Sequence, residues 1–139
     1  MKYQCSAYMS AQMNNLVSGT TYKLTLDSEL YDDGSGWDAP NCRFVTPCNG
    51  VYLITLNVGW VGLNTTNHRY LFIWKNGVEV LTAIPPNVKA GNWVDLLSGM
   101  LKLLSGDILT FHVLHLCGIN TPDIGAWPNW TIVSISSLS

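Results

Sequence analysis

The sequence predicts an all-β fold: an antiparallel jelly-roll sandwich formed as a single domain over residues 1–139. Three observations carry this. Apolar side chains recur at every second position in about nine short runs, the period of a strand with two unlike faces. Turn residues interrupt these runs about every 8–12 residues, and no stretch keeps a helical period. No fixed repeat is present, which removes propellers and solenoids, and no Cys…Trp…Cys framework supports an immunoglobulin sandwich. A jelly roll fits what remains.

The elements follow in order. Tyr3 to Gln12 alternates with Tyr3, Cys5, Ala7 and Met9 on one face, and a polar connection from Asn14 to Thr20 follows. Thr21 to Leu30 is a second strand, with Tyr22, Leu24 and Leu26 opposite Lys23, Thr25 and Asp27. Tyr31 to Asn41 is turn chemistry, with Gly34, Gly36 and Pro40, and Trp37 in it either clamps the loop or makes an exposed contact. Cys42 to Thr46 is a brief strand, and Pro47 to Gly50 turns into the central one.

In the central strand Tyr52, Ile54, Leu56, Val58 and Trp60 share a face, while Val51, Leu53, Thr55 and Asn57 share the other. The second face is apolar at first and then polar, so it too needs partial cover, and in a short chain that cover points to another subunit. Val61 to Asn67 is a loop. Arg69 to Lys75 places Tyr70, Phe72 and Trp74 together, and Asn76-Gly77 is the strongest short hairpin signal, leading into a strand from Val78 to Thr82. Asn92 to Leu104 and Ile108 to Leu116 are strands joined by a tight Ser105-Gly106-Asp107 turn. A Gly- and Pro-rich loop from Cys117 to Pro128 precedes the closing strand, Asn129 to Leu138.

Composition narrows the function. Hydrophobic residues make up 47% and charged residues 12%, with six Trp and six Tyr. So little charge on a chain this size favours extensive subunit contact over a merely large core. Net charge is −2, and the seven Lys and Arg form no basic run, which argues against a nucleic-acid partner. No run reaches membrane-spanning length, and Met1-Lys2 leads into no apolar signal region, so the expectation is synthesis in a cytoplasm or a mature form. Asn64-Thr65-Thr66 and Asn129-Trp130-Thr131 have sequon form, which has little meaning without secretion.

Few residues offer chemistry. Cys5, Cys42, Cys48 and Cys117 lack zinc spacing; they are expected as buried thiols, with a Cys42–Cys48 bridge as the alternative. His112 and His115 are three apart on a strand, so they project to opposite faces and cannot chelate one metal within a chain. Five acids cluster in residues 27–38, reading as a solvated loop, and their spacing does not match a calcium motif. With no nucleophile elbow and no phosphate loop, the expectation is no catalytic residue, no metal and no cofactor. The protein is expected not to be an enzyme.

The run YDDGSGWDAPNCRFVTPCNGVYLITLNV resembles the signature of the tumour necrosis factor/complement component 1q globular-head superfamily, through Gly36, Trp37, Asp38, Arg43, Phe44, Pro47, Gly50 and Tyr52. Cys5 to Tyr8 is similar to that family's first strand, Leu97 to Leu109 to its Gly-Asp turn and flanking strands, and Trp130 to Leu138 to its closing strand. The hairpin Trp74-Lys75-Asn76-Gly77 looks most like members found in bacteriophage structural proteins. The resemblance implies a ten-stranded jelly roll assembled as a homotrimer, with the contact expected at Val51, Leu53, Trp60, Phe111 and Val113. It further implies a virion-surface protein made in the host cytoplasm, decorating or cementing a capsid beside the major capsid protein; the absence of an encoded stalk favours this role. The alternative is a fibre or spike head that binds a receptor or glycan through loops carrying Trp37, Asn64, His68 and Trp127. A secreted ligand is the third reading.

Overall fold

The computed structural model describes residues 2–63 and 68–138. The expected loop residue Asn64 and its sequon lie outside the described residues. Twelve strands are present among the described ones: β1 (Gln4–Tyr8), β2 (Tyr22–Lys23), β3 (Ser28–Asp32), β4 (Trp37–Asp38), β5 (Arg43–Val45), β6 (Gly50–Leu63), β7 (Arg69–Lys75), β8 (Val78–Ala83), β9 (Gly91–Leu103), β10 (Ile108–His115), β11 (Asp123–Ile124) and β12 (Ile132–Ser137). They form two antiparallel sheets packed face to face. The first runs β9-β6-β12-β1-β3, with β11 beside the far end of β6. The second runs β8-β7-β10, with β5 and β2 pairing two different stretches of β10 and β4 outside β5.

Strand β6 is the spine of the first sheet. Tyr52, Ile54, Leu56, Val58 and Trp60 all point inward and are fully buried. Val133 and Ile135 of β12, Cys5 and Ala7 of β1, and Leu97 and Leu103 of β9 extend that inner face. Opposite them lie Leu71 and Ile73 of β7 and Leu109, Phe111 and Val113 of β10, each fully buried. Two sheets with one apolar face apiece have closed on each other, as sandwich packing requires.

Three expectations are corrected here. Trp60, Phe111 and Val113, expected at a subunit contact, are core residues at 0% exposure. Their parity along β6 and β10 is that of the face turned to the opposing sheet, so the protomer itself consumes them. The strand expected from Thr21 to Leu30 is broken in two: β2 pairs with β10 in one sheet and β3 with β1 in the other. The residues between them cross the sandwich, and Leu24 and Leu26 plug its interior at 0% exposure. Finally, the cysteines are free thiols as expected, which discards the Cys42–Cys48 alternative, but only Cys5 and Cys117 are buried; Cys42 and Cys48 are half-buried. Strand β5 runs between Cys42 and Cys48, and an extended chain advancing about 3.3 Å per residue holds them too far apart to bridge.

The hairpin signal is realised in full. Asn76 and Gly77 take φ of 50° and 82°, the doubly left-handed turn that joins β7 to β8 and matches the twist of the strands. A buried ion pair then ties the two sheets together: Arg69 of β7 donates from Nε and Nη2 to both carboxylate oxygens of Asp95 in β9, at 2.7 and 2.9 Å. Both side chains are nearly inaccessible, at 1% and 6%. Arg69 has the same inward parity as Leu71 and Ile73, so a partner charge inside the sandwich is obligatory.

Candidate functional site

Two surfaces stand out, and the first is the outer face of the first sheet. Outward-pointing residues across β6, β9 and β12 include Val51 and Leu53, Val94, Leu96 and Met100, and Ile132, with Leu138 just beyond β12. Met100 sits opposite Leu53 in register, and Leu96 opposite Asn57 and, through it, Ile132. Between these two apolar rows runs a row of hydroxyls: Ser98 lies 3.3 Å from Thr55, and Ser134 lies 3.4 Å from Ser6 on β1. Met100 is 63% exposed, and Leu53, half-buried by its neighbours, still 38%. Lys102 is the one charged residue pointing outward from β6, β9 and β12 among the described residues. A sheet face turned to water is ordinarily polar; this one is not.

The second surface lies at the end of the sandwich away from the two termini. The termini are joined at the other end, where Gln4 pairs with Ser136 and Leu138 N–H donates to the Val51 carbonyl. At the far end, the turn after β1, the end of β6, the start of β9 and the loop before β12 enclose a cleft of about 400 Å³. Ser10, Gln12, Asn92, Trp127 and Trp130 are among its lining residues. Trp130 closes one side because Gly59 and Gly125 leave space for its ring: a Cβ on Gly59 would meet Trp130 Cε3 at 2.5 Å. Trp127 is 59% exposed.

The loop residues expected as contacts divide. Trp37 is buried, its Nε1–H donates to the Leu26 carbonyl at 3.0 Å, and its ring lies 6.0 Å from that of Phe111; it is the clamp, not a contact. His68 is exposed beside β7, with its carbonyl accepting from Leu116 N–H. Of the three among the described residues, only Trp127 combines exposure with a cleft. Trp130, Asn92, Ser10 and Gln12 were not anticipated as its neighbours. The available signal was the segment Ala126-Trp127-Pro128-Asn129-Trp130, two indoles set around a proline in a turn-rich loop.

The remaining polar groups serve the fold. Asp32 accepts from Gly36 and Trp37 N–H, and Asp38 pairs with Arg43 at 2.8 Å. Hydrogen bonds from Asn41 and Arg43 hold the Asp38 carboxyl below the usual carboxylate range. Asp27 accepts from Ser10 N–H and Oγ at 2.9 and 2.7 Å; partial burial pushes its carboxyl up, and the Ser10 and Ser28 bonds outweigh that to hold it low. Asp27, Asp32 and Asp38 are thus each held by donors from within the acidic stretch or from Ser10, Asn41 and Arg43 beside it. His112 faces outward from β10 and stacks on Trp74 at 3.7 Å, where burial and nearby Lys23 lower its pKa to about 4. His115 faces inward with Nε2 2.6 Å from the Leu16 carbonyl and Nδ1 accepting from Cys117 N–H, a pattern that fixes one neutral tautomer. Burial raises the Cys5 and Cys117 thiols, which keeps them unreactive. Among the described residues no three His, Cys, Asp or Glu side chains are placed to hold a metal ion.

No protein-family model and no curated protein matches the chain. Solved structures do. Murine APRIL at pH 5.0 superposes with a TM-score of 0.75 at 13% identity, covering 99% of this chain and all of the other. The globular domain of zebrafish complement 1qA superposes at 0.64 and 16% identity, covering 98% and 96%. Identities this low speak to architecture alone, and the coverage is end to end. The chain has the jelly-roll sandwich fold common to murine APRIL and the complement 1q globular head.

Proposed function

We propose that this protein is a non-enzymatic, homotrimeric surface module that assembles through the outer face of its first sheet and decorates or cements a virion shell beside the major capsid protein. The observation that carries the assembly is that face: two apolar rows around a hydroxyl row, with Lys102 its one outward charge among the described residues of β6, β9 and β12. Val51 and Leu53 belong to it, joined by Val94, Leu96 and Met100. The superfamily resemblance of the run from Tyr31 to Val58, which implies a homotrimer, supports the assembly. The Trp74-Lys75-Asn76-Gly77 hairpin, similar to those of bacteriophage structural proteins, supports the virion role.

Sedimentation of the purified protein tests assembly. A trimer that persists in high salt is expected, because apolar burial is not screened. A monomer at micromolar concentration refutes it. Imaging of intact particles tests the role: hundreds of copies spread over a shell support decoration. A handful at a vertex or tail supports the second reading, a receptor- or glycan-binding head, which the exposed Trp127 cleft favours.

A further inference from the structure

We propose that the cleft beside Trp127 is a binding site for a neutral pyranose sugar. The site deepens the binding-head reading and rests on it; it is independent of how the protein assembles.

The first argument is the backbone of Trp127. Its φ of 76° lies in the left-handed region, where a bulky side chain is strained. Three hydrogen bonds hold it there: its N–H donates to the Met9 carbonyl at 2.8 Å, and its carbonyl accepts from Trp130 and Thr131 N–H at 3.1 and 3.2 Å. The strain is not relieved by burying the ring, which stays 59% exposed. A strained backbone that fixes a large apolar side chain in solvent is the arrangement found at ligand sites rather than in cores. The flat face of an indole suits the apolar C–H face of a pyranose, with its polar edge left wet.

The second argument is the polar complement. Asn92 Oδ1 accepts from Gly62 N–H at 3.0 Å, which orients the amide and leaves both Nδ2 protons without a partner among the described residues. Gln12 is held the other way: Nε2 donates to Asn14 and Asp123, both at 3.0 Å, leaving Oε1 as an acceptor. Ser10 Oγ donates to Asp27 at 2.7 Å and keeps its lone pairs. The cleft thus offers an amide donor, an amide acceptor and a hydroxyl acceptor, each oriented by a neighbour. Sugar hydroxyls donate and accept at once and can satisfy all three. The volume of about 400 Å³ suits a small ligand.

The third argument is charge. Among the described residues no ionisable side chain lines the cleft, while Asp27 and Asp123 stand directly behind Ser10 and Gln12. Their field opposes sialic acids, uronates and phosphates, and selects neutral sugars.

Titration calorimetry and ligand-observed NMR on the assembled protein, with methyl glycosides of neutral hexoses and N-acetylhexosamines beside sialic acid, test the site. Saturable binding of at least one neutral glycoside and none of sialic acid is expected. Trp127→Ala should weaken it at least tenfold. Asn92→Leu, at a separate position, should do the same, with circular dichroism confirming the fold of each variant. No saturable neutral-sugar binding by the unaltered protein, unchanged binding by folded Trp127→Ala, or a preference for sialic acid overturns the proposal. If no sugar binds yet the protein still adsorbs to cells, the site falls and the binding-head reading stands; if adsorption is absent too, both fall.

Discussion

Replacing Met100 by Asp separates an assembled from a solitary sandwich. Met100 points outward from β9, opposite Leu53, and is 63% exposed in the single chain. An exposed site costs the protomer little: a surface substitution is worth about 0.5 kcal/mol, and the poor strand preference of Asp adds up to about 1 kcal/mol. Within a trimer the balance reverses. Burying a whole Met side chain is worth roughly 1.5–3 kcal/mol, so covering its exposed part contributes roughly 1–2 kcal/mol in each of the three copies. An unpaired carboxylate there adds a desolvation cost of several kcal/mol more. The trimer should lose at least about 6 kcal/mol, a factor of about ten thousand in its association constant. Sedimentation at micromolar concentration should show a species of one 15.3 kDa chain with native circular dichroism where the parent is expected to show the proposed trimer. A variant that still sediments as the parent trimer refutes the placement of the contact. A variant that unfolds at all concentrations refutes the claim that this face is optional for the single chain.

Other outcomes follow from particular contacts. Asp95→Ala leaves the Arg69 guanidinium buried without its carboxylate and should cost about 3–5 kcal/mol in denaturant unfolding; Asp95→Ala with Arg69→Met should recover much of it, and equal losses in the two would refute the pairing. Gly59→Ala should destabilise by about 1–3 kcal/mol, since its Cβ would meet the Trp130 ring at 2.5 Å; an unchanged melting temperature would show that Trp130 yields freely. The histidines set a pH dependence. His112 is held at about 4, below the ordinary 6.5, and His115 is also lowered, both chiefly by burial. The unfolded chain therefore takes up protons first as pH falls below 6.5, and stability is lost down to about pH 4. The His112 share is roughly 2 kcal/mol by pH 5. The depressed Asp27, Asp38 and Asp107 carboxyls act in the same sense only below about pH 4. Unfolding midpoints at pH 7.5 and 5 test this, with His112→Leu flattening the slope; a flat profile in the parent chain would refute it.

Much of the architecture was legible in the chain because a strand writes its two faces into alternate residues. The run 69–75 was bounded correctly, the Asn76-Gly77 turn was found from two residues, and the five residues that share one face of β6 were grouped correctly, although Trp60 among them was expected at a contact. The same signal was silent on which face of β7 and β10 meets the opposing sheet. Both faces of β7 are largely apolar, with Tyr70, Phe72 and Trp74 outside and Leu71 and Ile73 inside, and β10 keeps Ile108 and Leu114 on its outer face beside Thr110 and His112. Alternation reports that two faces differ, not which is the core, so Phe111 and Val113 were assigned to a contact they do not reach. The break between β2 and β3 was hidden for a related reason. Leu24 and Leu26 alternate as a strand would, although they cross between sheets.

The candidate sites show the same division. The apolar second face of the central strand was visible from Val51 and Leu53 alone, since it depends on one stretch of chain. The Arg69–Asp95 pair and the Trp127 cleft were not visible. Each joins residues far apart in sequence, and nothing local tells a buried Arg which carboxylate will answer it. The sequence by itself determined the fold class, the alternation of faces along β6 and the surplus of apolar surface. Tertiary structure decided which surplus faces water, because burial is a property of two packed sheets and cannot be read from one strand.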